Sequence, residues 1–332
     1  MSSAPAHDLH IVSGKGGTGK TTIAAALACA LAGSGRRVLL CEVEGRHSLT
    51  DLFTVPELGR REERRLCRTP AGGQVFGMSI NAEDALMEYL ETFYRLGMAG
   101  RALDRFGVFD FATSIAPGLG DVLLTGKVYE AVRRRAKGRS DAYDAVVLDA
   151  PPTGRIAKFL NVNEAVAGLA KMGPIRTQAD SITEVLRSDG TVVHLVTLPE
   201  DMPVTETLDA ITELEPTKIT VGSLICNRAT ASPLTDTEVA SAIDGKAELA
   251  VAGLTDEQLT DLATELAEDA TRLRDQRACR QRLDEVDLPV ADVPLDPDGI
   301  DVDAVFAIAD TLADQLELFT QDAARPRRGG RR

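Results

Sequence analysis

The residues with the clearest chemistry stand near the start of the chain, in the stretch "SGKGGTGKTT" from Ser13 to Thr22. Gly14-x-x-x-x-Gly19-Lys20-Thr21 has the spacing of a P-loop. In such a loop successive backbone N–H groups converge on phosphate oxygens, the lysine reaches the β- and γ-phosphates, and the hydroxyl joins Mg²⁺. Gly14-x-Gly16-x-x-Gly19 is also the spacing of a dinucleotide loop, which asks for an acid about 20 residues on to hold ribose hydroxyls. Glu42 and Glu44 stand there, so glycines and acids do not decide between the two. Lys20-Thr21 favours the P-loop, because a dinucleotide fold has no use for that pair. Gly16, Gly17, Thr18 and Thr22 complete the loop. Lys15 fits neither template. On the loop alone it is either a solvated lysine at a tip or a cation whose stem points away from its own phosphates.

A second chemical feature lies far downstream. "YDAVVLDAPPTG" is an apolar run ending in Asp149, placed to order Mg²⁺ or its water. Gly154 then offers a backbone N–H near a γ-phosphate. A strand-end aspartate is common, but together with Lys20-Thr21 it is far more specific than either feature alone.

Elements must hold these residues in place. Seven short apolar runs recur: "LHIVSG", "RRVLLCEVE", "QVFGMSIN", "AVVLDA", "TVVHLVTLPE", "VGSLICNR" and "LPVADVPL". Most are near-continuous rather than alternating, as strands buried on both faces require. Helical stretches separate them. The pattern predicts an α/β fold with a mostly parallel sheet of seven to eight strands flanked by helices, whose ligands sit beyond the carboxyl ends of the strands. "TTIAAALACALAG" reads as the helix after the loop, with Gly33 as its closing left-handed glycine. Residues 83–137 and 235–284 read as mainly helical insertions within a single domain over 1–322. The stripe Met87, Leu90, Phe93, Leu96 and Met98 reads as core or as a groove for a hydrophobic client. "VDAVFAIADTLADQLELF" is amphipathic with an acidic polar face, which predicts packing back on the domain rather than on a membrane.

Bulk properties exclude several classes. The 332 residues carry a formal charge of −14, so no specific nucleic-acid surface is expected. The five arginines of "ARPRRGGRR" sit in a Pro/Gly-rich tail that is expected to be disordered over 323–332, either solvated or a tether to an acidic partner. The five cysteines at 29, 41, 67, 226 and 279 form no CxxC pair, which points to a reduced, cytoplasmic protein. No apolar run approaches 18 residues, and "MSSAPAHD" lacks a signal-peptide core, so no membrane span or leader is expected.

Taken in order, the segments resemble one family. "SGKGGTGKTT" resembles the deviant Walker A loop of the SIMIBI-class ATPases, with its second lysine after the first glycine. "CEVEGRHSLTDLF" and "VVLDAPPTG" are similar to switch I and switch II of the arsenite-pump (ArsA-like) family, which includes the tail-anchored-protein targeting ATPases. "FGMSINAEDALMEYL", "TLPEDMPVTETLDAITEL" and "LICNR" follow in that family's order. The overall form looks closest to actinobacterial anion-transporting ATPase-like paralogues. The likeness runs from about His10 to Pro294.

The resemblance implies a P-loop ATPase with ATP and Mg²⁺ as ligands. It implies that Gly14, Gly16, Gly17, Thr18, Gly19, Lys20, Thr21 and Thr22 bind phosphates, with Thr21 and Asp149 on the metal side. Asn227 is then the adenine contact, with the backbone past Pro294 closing that pocket. Lys15 becomes the signature lysine, used across a dimer as an arginine finger in trans would be. The dimer would be a homodimer or a heterodimer with a paralogue, acting on a membrane-protein or hydrophobic client, cytoplasmic or peripheral at a membrane. Departures matter too. Glu44 stands where the family has the water-positioning aspartate, and about 1 Å of misplacement can cost ~10²-fold in rate. Hydrolysis is then slow, or Glu42 shares the role. Arg155 replaces the switch II histidine. The dimer-zinc CxxC and an arsenite-binding cysteine cluster are missing. The readings left open are an ATPase, a nearly non-hydrolysing ATP switch or scaffold, and a MinD/ParA-like positioning ATPase.

Overall fold

The computed structural model describes residues 8–33, 35–43, 48–59, 62–94, 118–162, 174–247, 249 and 253–316. Glu44, residues 95–117 of the first helical stretch, Leu96 and Met98 among them, and the arginine tail lie outside the described residues.

Eight strands form one sheet in the order β3-β4-β2-β5-β1-β6-β7-β8. They are β1 (Leu9–Gly14), β2 (Arg37–Val43), β3 (Arg64–Arg68), β4 (Gln74–Ile80), β5 (Ala145–Asp149), β6 (Thr191–Thr197), β7 (Val221–Ala229) and β8 (Val290–Pro294). Every pairing is parallel except β3 with β4. The seven apolar runs are seven of these strands. β1, β5 and β6 are buried along their whole length, which is why their sequences do not alternate. The apolar runs did not announce β3: "RRLCR" is an antiparallel edge strand that buries only Leu66 fully. Its arginines suit an edge that must not recruit another strand.

The helices are α1 (Lys20–Ala32), α2 (Ser48–Leu52), α3 (Ala82–Tyr94), α4 (Leu119–Ala136), α5 (Thr153–Leu160), α6 (Pro174–Leu186), α7 (Asp201–Leu214), α8 (Asp236–Ile243), α9 (Asp256–Asp284) and α10 (Val302–Gln315). One core lies between the sheet and α1 with α10, where Ile23, Leu27 and Leu31 meet Val305, Ile308 and Leu312. The C-terminal helix is thus packed back on the domain. The other core lies across the sheet and joins α4, α5, α6, α7 and the end of α9 through Val128, Phe159, Ile182, Val204 and Leu283. Strand alternation assigns side chains to these faces. Val38 and Leu40 of β2, Val147 of β5 and Ile225 of β7 face α1. Glu42, Asp149 and Asn227 continue those alternations onto the same face.

Gly33 does not close α1 in a left-handed conformation. Its φ is −51°, and the left-handed residue is Gly35, at φ 80°. The turn is completed by Gly35 N–H donating to the Ala32 carbonyl at 3.0 Å. Cys29 of α1 and Cys67 of β3 bring their sulfurs to 3.8 Å, a thiol contact rather than a bond.

Candidate nucleotide site

β1 runs down the middle of the sheet and its carboxyl end feeds the glycine loop into α1. The connection to β2 passes over β5, and β5 leads to β6 on the other side of β1. This reversal at β1 is where an open parallel sheet leaves a crevice at its carboxyl edge.

The loop's shape is fixed by close approaches. A Cβ on Gly14 would run into the Val196 carbonyl of the neighbouring strand. Gly19 stands at φ 86° as the residue before α1, and a Cβ there would meet the Asn227 amide. Both positions therefore admit only glycine. Gly16 faces open space. Thr18 is buried, its hydroxyl donating to the Lys15 carbonyl at 2.9 Å. The α1 N-terminus has no side-chain cap and no acid in its first turn, so its amides are left for an anion.

Lys20 is buried and folds back over the loop, its Nζ donating to the Lys15 carbonyl at 3.0 Å. The Thr21 hydroxyl donates to Asp149 Oδ2 at 2.6 Å. Thr21 and Asp149 thus meet across 128 residues of sequence. Ser13, the last side chain before the loop, donates to the Pro151 carbonyl at 2.7 Å and ties the loop to the segment after β5. Gly154 lies in the first turn of α5, among amides that have no acceptor within their helix. Thr22 follows Thr21 in the first turn of α1 and is half-buried.

Three placements differ in kind from a simple ligand list. Asn227 donates its amide to the Thr18 carbonyl at 2.8 Å, so it braces the loop from β7. A cavity of about 280 Å³ opens at the ends of β6, β7 and β8, lined by Pro199, Ala229, Thr230, Arg280, Asp292 and Pro294 among others, and Asn227 is not part of its lining. Lys15 forms an ion pair with Glu206 of α7 at 2.6 Å, both side chains about a third exposed. Arg155 contacts Asp121 at the start of α4 at 3.5 Å. Glu206, Ser13 and the bracing role of Asn227 were not foreseen. Each is a meeting of distant segments, and the segments "SGKGGTGKTT", "LICNR" and "TLPEDMPVTETLDAITEL" that carry these residues gave no signal of the contact itself.

The profile of the anion-transporting ATPase family matches residues 7–188, from two residues before β1 to two residues beyond α6. The chain belongs to this family. The ATPase BagA of Mycobacterium tuberculosis is 47% identical over 316 residues, covering 92% of this chain and 93% of BagA. The ATPase GET3 of Kluyveromyces lactis is 26% identical over 183 residues, 51% of each chain. The ATPase ARSA1 of Chlamydomonas reinhardtii is 27% identical over 202 residues, covering 53% of this chain and 25% of that one. The family match covers the glycine loop, Glu42, Asp149 and Gly154, which lie together at the carboxyl edge. Asn227 lies beyond it, in the part shared with BagA. Among the described residues, no helix of this family member is long and apolar enough to cross a membrane.

Proposed function

We propose that this protein binds ATP with Mg²⁺ and hydrolyses it to ADP and phosphate within a dimer, whose shape follows the nucleotide. The observation that carries this reading is the Thr21–Asp149 hydrogen bond beside an uncapped α1 and a buried Lys20. A hydroxyl and a carboxylate at the mouth of a phosphate loop are the hard oxygen donors that suit Mg²⁺. When bound, the ion supplies charge that stabilises the phosphate oxygens during transfer.

The protein's own groups do the rest. Amides of Gly14 to Thr22 and the Lys20 ammonium hold the triphosphate, with Gly154 contributing near its end. Glu44 orients the attacking water. Asn227, its nitrogen taken by Thr18, meets adenine through its oxygen. Lys15 acts across the dimer, and its pair with Glu206 is the resting arrangement that must open first. The dimer is homomeric or formed with a paralogue. Residues 1–322 act as one ATPase domain, and its output goes to a membrane-protein or hydrophobic client from the cytoplasm or the membrane surface. The five free cysteines are in keeping with that compartment.

Single-turnover hydrolysis with enzyme in excess tests the reading. Wild type is expected to outpace Glu44→Ala and Lys15→Ala, and Lys15→Ala is also expected to weaken ATP-dependent dimerisation. Equal rates for wild type and Glu44→Ala would leave the second reading, an ATP-bound switch with almost no turnover, which glutamate in place of aspartate at residue 44 favours.

A further inference from the structure

Glu42 is the last residue but one of β2 and stands beside Asp149 at the carboxyl edge of the sheet. The two residues sit opposite each other in the β2–β5 pairing and share the α1 face of the sheet. Glu42 is only 1% exposed. Its Oε1 accepts the Ser48 N–H at 2.9 Å, and Ser48 is the first residue of α2. Its Oε2 is buried and, among the described residues, finds no hydrogen-bond partner. A carboxyl oxygen held out of water without a hydrogen-bond partner is costly. Such a position persists when a ligand brings the missing donor. The nearest ligand chemistry is set by its strand neighbour, since Asp149 takes the Thr21 hydroxyl on the metal side of the phosphate loop.

We propose that Glu42 Oε2 accepts a hydrogen bond from a water in the Mg²⁺ shell that arrives with the nucleotide. The same carboxylate then holds that water with one oxygen and the start of α2 with the other. Glu42 is in this sense a positioning residue. It registers the metal through Oε2 and passes its presence, through the Ser48 amide, to the chain that leaves β2 and returns at α2. A neutral side chain in its place could brace Ser48 but could not accept from the metal's water with a full charge. This inference rests on the ATP and Mg²⁺ reading and assigns Glu42 a share in it.

Mn²⁺ titrated into protein saturated with ADP, followed by its electron paramagnetic resonance signal, tests the proposal. Glu42→Gln keeps an acceptor for Ser48 and removes the charge. It is expected to weaken Mn²⁺ binding about 10–100-fold, the usual cost of losing an outer-shell partner. Metal-free ADP affinity and the melting temperature should stay at wild-type values. Unchanged Mn²⁺ affinity in Glu42→Gln would overturn the proposal and leave Glu42 as a clamp on α2 alone. A second measurement needs no variant. Mg²⁺ added to ADP-saturated wild type should slow hydrogen exchange at the Ser48 amide, and unaltered exchange would count against the coupling. If folded wild type holds neither ADP nor Mn²⁺–ADP, the ATP reading falls first and this one with it, an outcome distinct from a silent Glu42→Gln.

Discussion

α1 and α9 are both long helices, yet they are held in opposite ways. Of the thirteen residues of α1, eleven are buried, from Lys20 to Ala32. Of the twenty-nine in α9, only Ala270, Leu273, Cys279 and Leu283 are. α1 begins at a left-handed glycine with no side-chain cap, and its last turn carries no basic residue. α9 begins at a complete capping box, in which Thr255 and Gln258 satisfy each other's backbone N–H groups. Along its length α9 is tied by ion pairs: Arg277 to Asp236, Arg280 to Asp292, and Arg282 to Asp201 of α7. The difference shows where stability comes from and what it leaves over. Tertiary burial holds α1, so its N-terminal amides need no local partner and remain for a ligand. Local chemistry holds α9, and its N-terminus is spent on its own cap.

The contrast can be broken at four points of decreasing size. Lys20→Ala removes the cation that the uncapped end of α1 presents to phosphate. Phosphate release is expected to fall about 10²–10³-fold, in the range seen when a preorganised transition-state donor is lost. Thermal unfolding should change little beside this. Next, Leu27→Ala opens a cavity in the α1 core and is expected to cost about 2–5 kcal/mol. Glu265→Ala on the exposed face of α9 should stay within about 0.5 kcal/mol, and paired denaturant titrations read both. Third, Thr255→Ala removes the α9 cap at a cost of about 1 kcal/mol without touching nucleotide binding. Hydrogen exchange in the first turn of α9 localises the loss.

The smallest effect is a pH dependence in α8, the partner of α9. The Glu238 carboxyl accepts from the Thr235 N–H at 2.7 Å, and this bond, with the Thr235 hydroxyl, holds its pKa below the usual glutamate range. Its folded pKa lies below the unfolded one, so its contribution is complete above the ordinary glutamate value. It fades as the pH falls through the lowered one. Glu238→Gln should flatten the acid limb of α8 exchange and leave that of α1 as it was.

How much of this was legible follows from the range of each signal. The phosphate loop could be read because its chemistry lies within nine consecutive residues. Asp149 could be read because a buried strand must end at the ligand edge of a parallel sheet. β3 could not, since "RRLCR" has neither an apolar run nor a clean alternation and gains its pairing from β4 alone. Gly33 misled because two glycines, Gly33 and Gly35, follow the end of α1 and only geometry shows that Gly35 takes the left-handed turn. The Lys15–Glu206 pair and the brace from Asn227 to Thr18 join residues about two hundred apart. No local pattern encodes such contacts, because they arise only when the sheet order brings β1, β6 and β7 side by side. The same holds for Glu42. Its position was visible, and its unpartnered oxygen was not.

The placement of the first strand at the middle of the sheet has a consequence for the order in which the protein can form. A chain emerging from the ribosome presents its phosphate loop before β5 and β6, yet β1 has no strand neighbour until β5 is made and lacks its second until β6 follows. Thr21 waits 128 residues for Asp149, and Thr18 waits 209 for Asn227. Such distant pairings form slowly, and until they do the apolar strand stays uncovered. A nascent chain that stops short of β6 therefore carries the whole glycine motif without a crevice to hold it. A signature translated before β5, β6 and β7 becomes competent only after they have joined the sheet.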